Sequence, residues 1–414
     1  MRGERAAKTS TIIFGAFLLL FEGMLRMPIE KFFGGLLVNV LDVTLYFFVP
    51  ATFGFSRILL GNLSRVTAFF IGLTVGITLF VVIHEVFSLS GSFDTIFKTL
   101  AIFRPIPIIL LFAKELTRFD KTPALFHFVL IFLVLINFAA VLFQVLLPST
   151  AFAILQPGQL EGGLGRVASN EELWDGTCWG LFNSQINLAY FSLGSVLCMR
   201  RNNLISAICL VMCIMSGSLV VSVMAVICFL LMRKAYFMLL LGIVLGSLSL
   251  ISIYEFFFPG IDFSDFFDVL LETRLGLVYY TAPQFFSSGI SVTSILFGIG
   301  ADKELLGTIL FNQEVVPLVL RVAMDVETLE DVFWVALLYY YGVFGLVTVL
   351  FTFVAALRFL VKGPSRYLLL SVIVLGGFVN QIFSFIVFFV IIAVMSRDLN
   401  GSNTNRSREG EASI

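Results

Sequence analysis

The chain is poor in charge and in imidazole: Asp, Glu, Lys and Arg make up only 13% of its 414 residues, and there are two histidines. Soluble proteins carry about a quarter charged residues, so a polar domain of independent size has no place here. The five cysteines (Cys178, Cys198, Cys209, Cys213 and Cys228) lack metal-ligand spacing, and four lie in apolar runs, where they pack as small hydrophobes and imply no disulfide framework. Phosphate loops of the Walker or dinucleotide type are missing, so no ATP drive is encoded. Internal repeats and low-complexity segments are missing too.

What is abundant is apolar: 59% hydrophobic residues and a mean hydropathy of +1.03. A helix rises about 1.5 Å per residue, so a hydrocarbon core of about 30 Å needs about 20 apolar residues. Backbone amides in lipid must bond within their own segment, and the alternating pattern of a barrel is not seen. The expectation is an all-α polytopic membrane protein with about 12 transmembrane helices, at 11–26, 34–56, 66–86, 95–113, 124–147, 182–199, 203–216, 217–232, 235–253, 332–357, 365–378 and 380–396. The opening "MRGERAAKTSTIIFGAFLLLF" resembles a signal peptide but is followed by no small-x-small cleavage site, so it reads as a retained first helix.

Basic residues test this topology, because short cytoplasmic loops collect Lys and Arg. With both termini inside, 18 of the 26 basic residues face the cytoplasm with six acids, and eight face outward or lie in the membrane with 21 acids. Residues 1–396 then form one transmembrane domain, with external loops at 148–181 and 254–331 and a polar, disordered cytoplasmic tail at 397–414. The turn between the last two spans, in "VLGGFVNQIF", is what returns the basic tail to the inside. Trp174, Trp179 and Trp334 fall at the external boundary, as an aromatic belt would place them. Long ordered loops usually carry function. The second contains "DFSDFFDVLLETRLGLVYYTAPQFF", whose apolar positions Phe266, Phe267, Leu270, Leu271, Val278 and Tyr279 approach helical spacing and predict amphipathic helices on the outer surface.

A few charges need a reason. Asp42 and Arg104 lie within apolar runs, roughly 12 Å below the outer ends of their spans by helical rise. Two readings are open: an ion pair fixing two helices, or the floor of a substrate cavity, which Pro105 and Pro107 would help to line. Arg166, Arg274 and Arg321 are isolated cations in acidic loops, either paired with neighbours such as Glu272 and Asp325 or aimed at a specific anion. Arginine's planar fork suits phosphate oxygens. His84, beside Glu85, is a candidate base, and His127 reads as packing. In "RVAMDVETLEDVFWVALLYYYGVFGL" (321–346) the carboxylates of Asp325, Glu327, Glu330 and Asp331 stand directly before an apolar run. There they serve either as proton acceptors or as partners of the helix's positive end.

Four segments, in order, resemble the O-antigen ligase/polymerase superfamily. "GRVASNEELWDGTCWGLFNSQINLAYFSLG" (165–194) is similar to its loop-to-helix entrance, and "MSGSLVVSVMAVICFLLMRK" (215–234) to its small-residue turn between spans. "TRLGLVYYTAPQFFSSGISVTSILFGIG" (273–300) has its arginine, aromatic and closing Gly-x-Gly pattern, in Arg274, Gly298 and Gly300. "LEDVFWVALLYYYGVFGL" (329–346) looks like its polar-entry helix with a glycine step at Gly342 and Gly345. Two positions depart from the pattern. Leu219 stands where an arginine often follows Gly-Ser, and the histidine that the ligase branch has at the late span is replaced by acids.

The resemblance implies a Wzy-type polymerase of the GT-C membrane glycosyltransferase class, in the bacterial inner (cytoplasmic) membrane, active in lipopolysaccharide or related glycan synthesis. Such enzymes join oligosaccharide repeats carried on undecaprenyl diphosphate at the periplasmic face, without metal or cofactor and with a chain-length regulator as a possible partner. The expected roles are Asp331 or Glu330 as general base with Glu327 behind them, Arg274 and Arg321 on the diphosphate with Arg166 assisting, and Asn183, Asn187 and Arg104 on the substrate. A ligase transferring glycan to lipid A core is the first alternative, and a secondary transporter or flippase the second.

Overall fold

The computed structural model describes residues 124–151, 178–199, 202–242, 274–286, 291–300, 332–361 and 364–379, apart from 149, 183 and 239, with single positions within 76–84, at 310 and within 388–392. All regular structure among the described residues is helical. The principal helices are α1 (Ala124–Leu146), α2 (Gln185–Cys198), α3 (Asn203–Met215), α4 (Leu219–Met232), α5 (Arg274–Phe285), α6 (Val292–Phe297), α7 (Phe333–Leu360) and α8 (Pro364–Val379).

Helix α1 contains no Asp, Glu, Lys or Arg, and its burial pattern inverts that of a soluble helix. Its buried stripe, Leu130, Leu133, Asn137, Val141 and Gln144, follows helical spacing and carries both of its amide side chains, each 0% exposed. Its opposite face leaves Phe128 at 67% and Leu125 at 50% exposed. Among the described residues, two stretches, Leu125–Leu146 and Phe333–Phe351, are long and apolar enough to cross a membrane, and α2, α3, α4 and Ser365–Gly377 are shorter apolar helices.

The centre of the described structure is α2, buried from Leu188 to Cys198 and packed against α3, α4 and α1. A helix apolar on all sides belongs in such a position. Small residues let its neighbours approach: a Cβ at Gly194 would lie 3.2 Å from the Phe388 ring. The helix starts at Ser184, whose hydroxyl accepts from the amide of Asn187, and α3 starts in the same way at Asn202, whose side chain accepts from Ile205. Between α3 and α4 the chain reverses in three residues. Gly217, at φ 72°, supplies the left-handed step, and the hydroxyls of Ser216 and Ser222 both donate to the Cys213 carbonyl that the end of α3 leaves free. The junction expected between the spans 203–216 and 217–232 is therefore a reversal through Ser216, Gly217 and Ser218.

Helix α8 packs on α4 and α7. Its contact with α7 is built around Trp334, which is 5% exposed and donates from Nε1 to the Val374 carbonyl at 2.8 Å. A Cβ at Gly377 would collide with that indole nitrogen. Trp334 is thus an interior anchor rather than a member of a surface belt. Trp179 is half-buried, and Trp174 lies outside the described residues.

Six expected spans have described counterparts: 124–147, 182–199, 203–216, 217–232, 332–357 and 365–378. Those at 11–26, 34–56 and 95–113 lie outside the described residues. The spans at 66–86, 235–253 and 380–396 are described only in part, and the tail 397–414 not at all.

All five cysteines are buried and free. A membrane-permeant maleimide is expected to leave them unmodified in intact membranes and to label them after denaturation in SDS. Native labelling of Cys209 or Cys213, both 0% exposed, would contradict the packing of α2, α3 and α4.

Candidate functional site at a broken helix

Helix α7 is not continuous. At Gly342 the backbone turns to φ 65°, ψ −168°, and two helical segments continue on either side. Such a break removes the i to i+4 partners of nearby carbonyls, and buried carbonyls need replacements. The replacements come from the segment after α6, where Ile299 N donates to Tyr339 O at 2.8 Å and Gly300 N to Tyr340 O at 3.1 Å. Two stretches some 40 residues apart are thereby joined backbone to backbone.

Only glycine permits this approach. Gly298 sits at φ 88° and Gly342 at φ 65°, both in the region that L side chains avoid. A Cβ on Gly298 would strike the Tyr340 carbonyl, and one on Gly342 would lie 2.6 Å from Gly298 N. Each glycine makes room for the backbone beside the other. The Gly-x-Gly pattern and the glycine step, singled out separately in the sequence, are two halves of one crossing.

The helix that begins at Arg274 is fastened to the same place. Thr281 Oγ1 and Tyr339 OH form a buried hydrogen bond of 2.9 Å, and the Phe285 and Tyr339 rings lie 4.8 Å apart. The buried face of α5 runs through Thr281 and Phe285, with the half-buried Val278 on the same side, and leaves Tyr279 62% exposed. On another side of the break lies His84, whose ring meets Tyr341 edge-on at 5.4 Å and Phe80 at 5.8 Å. Phe80 also stacks near Phe344, and Phe344 near Phe297, so aromatic rings line the break.

A second arrangement positions the entrance of α2. Gln144 Oε1 accepts from the amides of Trp179 and Gly180, both at 2.9 Å, and its Nε2 donates to Gly180 O at 3.1 Å. Asn137 Oδ1 accepts from Leu181 N at 3.1 Å, and Gly180, at φ 61°, makes the turn between them. Two amide side chains on α1 therefore bond all three amides and one carbonyl of 179–181, three residues ahead of the Ser184 cap. Neither was singled out in the sequence. A lone Asn or Gln in an apolar run identifies no partner, and the only available signal was that unsatisfied amides are costly there.

Of the residues expected to carry function, Asn187 is half-buried in the first turn of α2. Arg274 is placed through its backbone alone, as the first residue of α5. Asp331, Glu330, Glu327, Arg321, Arg166, Asn183, Arg104, Asp42 and Asp325 lie outside the described residues. Described backbone resumes at Val332, one residue past Asp331, and α7 begins at Phe333. No group of His, Cys, Asp and Glu suited to a metal ion occurs among the described residues. No protein-family model matches the chain, and no curated protein or solved structure matches it either.

Replacing Gly298 by Ala adds a strained φ and a backbone clash, and is expected to lower stability by about 2–5 kcal/mol. Thermal unfolding in detergent reads this directly; a variant as stable as the parent means the two backbones do not cross so closely. Gln144→Leu strands two buried amides and one carbonyl, at about 1–3 kcal/mol each. Its melting temperature should fall, whereas Leu142→Ala, at a 43% exposed position on the same helix, should leave it nearly unchanged.

Proposed function

We propose that this protein is a bacterial inner-membrane glycosyltransferase that polymerises oligosaccharide repeats carried on undecaprenyl diphosphate, at the periplasmic face. In this reading the chain crosses the membrane about twelve times with both termini in the cytoplasm, and the loops 148–181 and 254–331 lie outside. The observation that carries it is the docking of α5 and of the Gly298–Gly300 segment on α7, the helix that follows Glu327, Glu330 and Asp331. Two stretches from the middle of the long loop, 281–285 and 298–300, are tied to one helix. The loop's cation and the acids at the helix entrance thus belong to one construction.

The chemistry needs that pairing. A hydroxyl of the acceptor sugar attacks the anomeric carbon of the lipid-linked donor. The new carbon–oxygen bond forms as the bond to the diphosphate oxygen breaks. The hydroxyl proton passes to a carboxylate, Asp331 or Glu330, with Glu327 behind them, and the departing lipid diphosphate keeps the electron pair. Arg274 and Arg321, with Arg166 from the other loop, neutralise its charge. Asn187 on the first turn of α2, held in place by the Gln144 and Asn137 clamp, bonds sugar hydroxyls together with Asn183 and Arg104. A chain-length regulator would act on the growing glycan from outside this set.

The outward apolar face of α1 supports placement in lipid, as do the replacement donors to the Tyr339 and Tyr340 carbonyls at the Gly342 break. That break also favours a second reading. Discontinuous helices at bilayer depth are a hallmark of transporters, whose substrates bind where the backbone unwinds. Under this reading the segment 339–342 lines a translocation path.

Arg274→Ala should accumulate unpolymerised lipid-linked repeats, with turnover down about 100-fold or more and normal membrane insertion. Normal glycan length in cells carrying that variant overturns the polymerase assignment. Transfer of finished glycan to lipid A core by the purified protein identifies a ligase, and substrate movement across proteoliposomes without new glycosidic bonds identifies a transporter.

A further inference from the structure

Tyr339 is the point at which three separate segments meet. Its carbonyl accepts from Ile299, its ring packs on Phe285, and its hydroxyl bonds Thr281. It is 1% exposed, and both Thr281 and Phe285 are 0% exposed. The carbonyl contact belongs to the glycine crossing and would survive any side chain at this position. The hydroxyl contact would not. It is a polar bond beside the Phe285–Tyr339 ring contact, at a position where phenylalanine would fill nearly the same volume as tyrosine.

We propose that the Tyr339–Thr281 hydrogen bond is a positioning latch that fixes the rotation of α5 and thereby the placement of Arg274. The inference rests on the reading above, in which Arg274 meets the diphosphate. Apolar contacts are non-directional, so a helix held by Phe285 alone can turn or slide on its neighbour; a hydrogen bond fixes one azimuth. Thr281 and Phe285 are four residues apart and share a face of α5. Arg274 precedes Thr281 by seven residues, close to two full turns, so its position falls on nearly the same face about 10 Å along the axis. Whatever sets the azimuth at Thr281 sets it at Arg274. The end of α5 needs such an external hold, because Pro283 removes an amide that would otherwise bond back within the helix.

A hydroxyl pair of this kind adds little net stability. Removing one partner destabilises, whereas replacing both by apolar groups of similar shape is nearly neutral. That separates positioning from structure. The experiment uses the full chain in nanodiscs with undecaprenyl-diphosphate-linked repeats as substrate and compares Tyr339→Phe, Thr281→Val, the double variant and Thr281→Ser. The expected result is a double variant that melts within a degree or two of the parent, with kcat down about 10- to 100-fold at nearly unchanged KM. Thr281→Ser, which keeps the hydroxyl, should retain turnover. Hydrogen exchange across 274–285 should rise in the double variant, with α2 to α4 unchanged.

A stable double variant with parental turnover overturns the latch, as does unaltered exchange in α5. Loss of turnover in Thr281→Ser as severe as in Thr281→Val also overturns it, because packing and not the bond would then be responsible. Arg274→Ala is measured beside them. If that variant polymerises normally, the assignment of Arg274 to the diphosphate has failed. If it is inactive while the double variant is active, the latch alone has failed.

Discussion

The backbone exchange between residues 298–300 and 339–342 is the constraint on which the rest of this half of the molecule depends. A helix can break in an apolar interior only if something else answers the carbonyls it abandons. Here the answer comes from two amides of a distant segment, and the approach they require leaves no room for a side chain at Gly298 or Gly342. Once this contact exists, the position of α6 is fixed. Thr281 and Phe285 then bring α5 onto the same stretch of α7, and Trp334, one and a half turns earlier in α7, carries the arrangement on to α8.

The other half follows a complementary rule. Around α2 the interior is filled with small and polar groups, and the outer surface of α1 is bare hydrocarbon. Serine hydroxyls return to helix-end carbonyls, and Gln144 and Asn137 bond the turn ahead of α2. Where lipid tails are as apolar as leucine, close approach and internal hydrogen bonds hold helices together. The amide clamp does both, binding three consecutive peptide units to a neighbouring helix.

Much of the helical plan was legible because it depends on long-range composition. The apolar runs at 124–147 and 332–357 leave no alternative to helix, whereas Ser184 and Gly217, placed inside expected spans, prove to be a helix cap and a turn residue. The break in α7 was not legible. Gly342 lies in an apolar run where a glycine is ordinarily tolerated, and its partner is more than forty residues away. On α5 the apolar spacing included Val278, which lies on the side that Phe285 buries, and Tyr279, which is exposed; it passed over Thr281, whose hydroxyl the tyrosine of α7 satisfies. Of the candidate site, the sequence singled out Arg274, Asn187 and both glycine motifs. It could not show that those motifs are one contact, nor that Asn137 and Gln144 prepare the entrance of α2.

The direction of the crossing bears on how the protein is made. Chains are translated from the amino end, and elements assemble as they emerge. The amides of Ile299 and Gly300 leave the ribosome before the interrupted helix that requires them. When the sequence around Gly342 reaches the insertion machinery, its acceptors already have somewhere to go. The order of the chain thus places the donors of this contact ahead of its acceptors, and the interrupted helix follows the segment that completes it.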